Sequence, residues 1–182
     1  MLFRSAGGDI WRVRATGGMP TAVSADRFTN EFAGAPSPDG QSLAFSARGN
    51  GPGQWWRNGH SHLDESEIWL MKGLSTSGYE KLVDLSGKNF WPMWAADGKS
   101  LFFMSDRSGA ENIWAKPLSG AAKAVTSFTN GRLLFPDISA DGKTIVFERN
   151  FGIWSLDTGS GRATAVPIRL RGASTEIGRA HV

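Results

Sequence analysis

Short apolar runs separated by polar, glycine-rich punctuation fill most of the chain. Leu43-Ala44-Phe45, Leu101-Phe102-Phe103-Met104 and Ile145-Val146-Phe147 are apolar at successive positions rather than alternate ones. A strand with one wet face alternates, whereas a strand apolar on both sides is covered on both. Each run follows an Asp-Gly pair: Asp39-Gly40, Asp97-Gly98 and Asp141-Gly142. Asp-Gly between apolar runs predicts a tight hairpin, because glycine accepts the positive φ that the turn requires. In the middle unit the pattern predicts four strands. They are Phe90–Trp94, Ser100–Ser105, Asn112–Lys116 and a short one over Ala124–Thr126, with turns at Asp97-Gly98, Asp106–Gly109 and Ser119-Gly120.

A second signature, Ile-Trp, recurs at Ile10-Trp11, Ile68-Trp69, Ile113-Trp114 and Ile153-Trp154, with its tryptophans 58, 45 and 40 residues apart. Four-stranded units of roughly 40 to 45 residues, covered on both faces, describe an all-β fold: a β-propeller built of stacked blades. Residues 1–24 supply the end of one blade, and 32–85, 90–126 and 133–168 supply three more, about three and a half four-stranded blades in all. The recurrent tryptophans are expected as blade-packing residues, Asp39, Asp97 and Asp141 as turn residues, and Asp106-Arg107 as a local ion pair that fixes a turn.

Composition narrows the function classes. Of the 182 residues, 40% are hydrophobic and 20% charged, which is globular stock. Eight Trp, eleven Phe and 23 Gly favour short strands and tight turns over helices. The net charge of +3 is scattered, with no basic block, so charge gives no reason to propose nucleic acid. Without cysteine there is no disulfide, no Cys-ligated zinc and no thiol nucleophile. No apolar run approaches the ~18 residues that span a bilayer. No glycine-rich stretch joins a strand to a helix as a phosphate loop does, and no cofactor is implied.

The repeat carries a resemblance. Pro36 to Gly40, Pro92 to Gly98 and Pro136 to Gly142, each leading into an apolar strand, together with Ser105-Asp106-Arg107-Ser108-Gly109 and the Ile-Trp pairs, resemble the WD-like repeat of the TolB and tricorn-protease propellers. The segments QWWRNGHSHLDESEIWLM, KNFWPMWAADGKSLFFMSDRSGAENIW and TIVFERNFGIWSLDTGSGRATAVPIRLRG look like the amino-terminal propeller of tricorn-like serine peptidases. That resemblance implies a non-catalytic propeller that scaffolds or gates peptide substrates. Its partners would be a peptide or protein substrate, the remaining blades, and a protease module further along the parent chain. No catalytic residue carries over. A TolB-like protein-binding propeller of the cell envelope and a propeller fused to an amidohydrolase are the alternatives. A periplasmic or exported bacterial setting goes with either of the first two. Such an arc, with open blades at its ends, is expected to be marginally stable and sticky. Residues 169–175 read as a linker or the start of another blade. Glu176–Val182 read as one frame of a sequencing adapter, so His181 is set aside.

One connection departs from the repeat. Between the second and third strands of the 32–85 blade the chain inserts residues 48–66, where the next blade uses about six residues. Within it lie Trp55-Trp56-Arg57, His60-Ser61-His62 and Asp64. His60 and His62 with Asp64 could supply a metal set, since H-x-H with a carboxylate is a ligand pattern. The other histidine, His181, lies in the adapter-like tail, and no barrel scaffold accompanies the pair, so the metal reading is the weaker one. Two readings stay open. In one, Trp55 and Trp56 pack over the blade edge and Arg57 pairs with Asp64, Glu65 or Glu67. In the other, Trp55, Trp56, Arg57, His60 and His62 form a peptide-recognition loop at the propeller rim.

Overall fold

The computed structural model describes residues 2–4, 8–25, 28–49, 64–73 and 78–169, with backbone alone for 2–4. All regular elements among them are strands. The first sheet holds β1 (Leu2–Arg4), β2 (Ile10–Arg12) and β3 (Thr21–Ser24). The second holds β4 (Thr29–Pro36), β5 (Ser42–Gly49), β6 (Glu67–Lys72) and β7 (Tyr79–Val83). The third holds β8 (Asn89–Trp94), β9 (Ser100–Ser105), β10 (Asn112–Pro117) and β11 (Lys123–Ala124). The fourth holds β12 (Leu133–Ile138), β13 (Thr144–Arg149), β14 (Gly152–Asp157) and β15 (Ala163–Ala165). Every sheet is an antiparallel meander in chain order. The sheets stack as propeller blades, with β4, β8 and β12 adjacent at the inner end.

Stacking explains the two-faced strands. Ile10 and Val23 of the first sheet pack with Leu43, Phe45 and Met71 of the second. The opposite face of the second sheet, with Ala44, Ile68 and Leu70, meets Leu101 and Phe103 of the third. Phe102, Met104 and Ile113 then meet Leu133, Ile145 and Phe147 of the fourth. Fully burying a side chain such as Phe103 stabilises by roughly 2–3 kcal/mol, so each interface rests on a handful of such residues.

The turns form as the Asp-Gly pairs predict. Gly40, Gly98 and Gly142 take φ of 69°, 65° and 70°. Asp39 Oδ1 accepts from Ser37 Oγ at 2.5 Å and from the Gln41 amide at 3.0 Å. Asp141 repeats this with Ser139 Oγ and the Lys143 amide. These bonds hold both carboxyls below the ordinary aspartate range, the serine hydroxyl contributing most. In the third sheet Ala95 replaces the serine, and Asp97 keeps the bond from the Lys99 amide.

Two repeated features have no repeated sequence. Each inner strand carries a bulge at the same register: between Phe32 and Ala35, between Phe90 and Met93, and between Leu134 and Asp137. The first bulged residue has positive φ in every case: Ala33 at 52°, Trp91 at 54° and Phe135 at 50°. The residue after it is Gly34, Pro92 or Pro136. The structural partner of Pro92 and Pro136 is therefore Gly34, and Pro36 lies two residues further on. Gly34 fits because an added Cβ would stand 3.2 Å from Ile10 Cδ1 of the preceding sheet.

The second feature is a stitch between blades. The amides of Glu31, Asn89 and Leu133, at equivalent inner-strand positions, bond to Gly8 O at 2.7 Å, Ser66 Oγ at 3.0 Å and Glu111 Oε2 at 2.6 Å. Each acceptor lies two residues before an Ile-Trp pair of the preceding sheet. At the last stitch Lys88 Nζ, fully buried, lies 3.7 Å from Glu111 Oε1. Burial pushes the Glu111 carboxyl above the ordinary glutamate range, while the Leu133 amide, Lys88 and Arg132 pull it back.

Candidate binding surface on the inner strands

Of the residues singled out in the insertion, Trp55, Trp56, Arg57, His60 and His62 lie outside the described residues. Asp64 is described and is fully buried; among the described residues neither of its carboxylate oxygens has a hydrogen-bond partner. Two residues on, Ser66 ties the base of the insertion to the third sheet. Its hydroxyl donates to Asn89 O at 2.7 Å, and Asn89 Nδ2 returns a bond to Ser66 O at 2.6 Å. Among the described residues no three His, Cys, Asp or Glu side chains come together as a metal set.

Asp106 and Arg107 attract each other through charge, as Asp84 and Arg107 do, and each is held by further bonds. Asp106 Oδ1 accepts from the Lys88 amide at 2.8 Å. Arg107 folds back over its own sheet and donates to Asn89 Oδ1 at 2.8 Å and to Ser105 Oγ at 3.1 Å. Its guanidinium carbon lies 5.5 Å from the Phe103 ring centre and 5.3 Å from that of Trp114. Three of the four recurrent tryptophans pack at blade interfaces: Trp69 borders the core shared with the first sheet, Trp114 that between the second and third, and Trp154 that between the third and fourth.

The arrangement best suited to holding a partner is one that periodicity did not reveal. An aromatic row runs across the inner strands from blade to blade. Phe32 lies 5.3 Å from Phe90, Phe90 lies 5.6 Å from Trp91, and Trp91 lies 5.8 Å from Phe135, centre to centre, all tilted. The bulge produces this row, because positive φ at Trp91 and Phe135 turns two large side chains out of the ordinary pleat. An L-residue in that region costs roughly 1–2 kcal/mol, and each aromatic contact returns about 0.5–1.5 kcal/mol. Phe135 is left 54% exposed. At one end of the row the Arg48 guanidinium stands 5.9 Å over Phe32; at the other, Asp137 is exposed on β12. Strained backbone that leaves an aromatic ring bare is a pattern found at recognition sites. The sequence signal that could have found it is the Gly or Pro that follows each bulged residue.

The family model of the TolB beta propeller domain matches residues 15–165. Among solved structures, TolB from Acinetobacter baumannii is 27% identical, with a TM-score of 0.68, over 86% of this chain and 37% of that one. A putative TolB from Agrobacterium tumefaciens is 20% identical, with a TM-score of 0.67, over 86% of this chain and 55% of that one. The tricorn protease is 12% identical with a TM-score of 0.51, covering 91% of this chain and 25% of that one, which shows the shared fold. An uncharacterized protein of Agrobacterium fabrum is 25% identical over 77% of this chain. The chain spans 40% of the length of that curated relative. By the family match and the blade architecture together, this chain belongs to the TolB β-propeller domain family.

Proposed function

We propose that this chain is a non-catalytic propeller module that holds a protein or peptide segment against the aromatic row of its inner strands. The observation that carries the reading is the pair of strained residues Trp91 and Phe135, whose rings lie 5.8 Å apart centre to centre and of which Phe135 is left bare. A segment lying across the row would bury its apolar side chains on the exposed part of the rings.

Two settings for the whole protein fit such a module. A docking propeller of the TolB kind is supported by the 27% identity to TolB. A substrate gate of a tricorn-like peptidase is supported by the three long segments that resemble those propellers. In either setting the bacterial envelope or an exported location would suit it. The coding sequence beyond Thr175 separates them: a serine-protease module favours the gate, and a stop soon after further blades favours docking.

The module itself is tested by selecting peptides on the chain from a random library and titrating the winners against Trp91→Ala and Phe135→Ser. Binding should weaken at least tenfold in each variant, with the far-ultraviolet spectrum unchanged. Winners that bind both variants as well as the parent would refute the assignment to the row.

A further inference from the structure

The chain enters the third and fourth blades through equivalent residues of different chemistry. Two residues before the stitched amides of Asn89 and Leu133 stand Gly87 and Gly131, with φ of 150° and 79°. Neither place tolerates a side chain. A Cβ on Gly87 would stand 2.5 Å from Asp106 Oδ1, and one on Gly131 would collide with Arg149 Nη1 and stand 2.6 Å from Asn150 Oδ1. The fold therefore requires glycine at both. The residue before it is Ser86 in one case and Asn130 in the other.

An asparagine followed by glycine holds both halves of a reaction. The next amide nitrogen can reach the side-chain carbonyl carbon, because glycine has no Cβ to obstruct the approach. Asn130 is exposed, and among the described residues the Gly131 amide donates to no acceptor. Asn112 is arranged in the opposite way. It is buried, its Oδ1 accepts from Thr126 Oγ1 at 2.8 Å and from the Phe128 amide at 2.7 Å, and the next amide, of Ile113, donates to Thr126 Oγ1 at 3.0 Å. Asn130 also sits at a joint. Arg149 Nη2 of the fourth blade donates to Asn130 O at 2.7 Å and to its Oδ1 at 3.3 Å, while the same guanidinium lies 4.1 Å over Phe128.

We propose that Asn130 is a site of spontaneous deamidation that alters the joint between the third and fourth blades. The Gly131 nitrogen loses its proton and bonds to Asn130 Cγ, the side-chain amide leaves as ammonia, and a succinimide ring remains. Water then opens the ring. Attack at Cγ leaves an aspartate side chain, whose carboxylate stands beside the Arg149 guanidinium and pairs with it. Attack at the main-chain carbonyl carbon leaves an isoaspartyl link. The main chain then runs through Cβ and Cγ and is longer just ahead of Leu133, and the oxygen that accepted from Arg149 becomes part of a side branch. That lengthening shifts the Leu133 amide away from Glu111 Oε2. The two products therefore act in opposite directions on one seam, and neither depends on the aromatic row.

The test is to age the full chain in mildly alkaline buffer and follow its tryptic peptides by mass spectrometry. The peptide Ala124–Arg132, which carries Asn130, should exchange amide for acid at least about tenfold faster than Ser108–Lys123, which carries Asn112. Asn130→Ser, which copies the third blade at this place, should fold as the parent does and leave Ala124–Arg132 unchanged with age. The isoaspartyl fraction, separated by chromatography, should melt below the parent, and Asn130→Asp should melt at or above it. An Asn130 that ages no faster than Asn112 would overturn the site. An isoaspartyl form that melts with the parent would overturn its effect on the joint.

Discussion

The third and fourth blades share their strand pattern and differ in what lies beyond them. Phe102 and Ile113 of the third blade are 9% and 0% exposed, because the fourth blade covers them. Their equivalents in the fourth, Val146 and Ile153, are 44% and 37% exposed. Residue choice follows the covering only in part. Glu148 stands where the third blade has Met104, and Asp137 where it has Met93, yet Val146 and Ile153 keep the apolar pattern of a covered sheet. A strand's sequence therefore sets its pleat and its turns, whereas its burial is decided by the neighbouring blade.

The sharpest way to break this comparison is to truncate equivalent residues. Ile113→Ala should cost about 3 kcal/mol by leaving a cavity in a closed interface, and Ile153→Ala about 1 kcal/mol or less, both by urea denaturation. Equal losses would mean that the far face of the fourth blade is covered in solution. Next in size is the stitch. Glu111→Ala removes the carboxylate beside fully buried Lys88 and the acceptor of the Leu133 amide, and should cost about 3 kcal/mol. The residue at the same place in the fourth blade is Phe151, which is fully exposed. Phe151→Ser should leave stability within about 0.5 kcal/mol and reduce light scattering on concentration.

Smaller effects sharpen the comparison at the turns. Ser139 holds the Asp141 carboxyl low, whereas Ala95 offers Asp97 no such bond. A depressed folded pKa contributes stability that is complete above the ordinary aspartate range and is lost as pH falls through the folded value. Ser139→Ala should therefore weaken the fold at neutral pH and flatten its acid limb, a change visible in melting temperatures taken from pH 7 down to pH 3. Ala95→Ser should do the reverse, by about 0.5 kcal/mol at neutral pH.

The blades were legible because their signals are local and chemically specific. Asp-Gly forces a turn, and apolar runs on both faces demand neighbours. The stitch was not legible, because a glycine carbonyl, a serine hydroxyl and a glutamate carboxylate perform the same task at Gly8, Ser66 and Glu111. The aromatic row was hidden for a similar reason. Ala33, Trp91 and Phe135 have no side-chain property in common, only a backbone angle. At Arg107 only the neighbouring charge of Asp106 was legible; its further partners, Asn89, Phe103 and Trp114, come together only once the sheet forms. Of the insertion, the described residues show its anchor at Ser66, bonded to the third sheet, and the buried Asp64, while Trp55 to His62 lie outside them.

The repeated positive φ also makes selection readable. At Trp91 and Phe135 the backbone alone would choose glycine. A survey of all substitutions there, scored separately for folding and for ligand capture, would rank glycine high on one scale and aromatic residues high on the other. Where the two rankings cross, the chain is giving up folding stability to keep a ring in place. Ala33, the same angle with no ring to keep, supplies the baseline against which that crossing is measured.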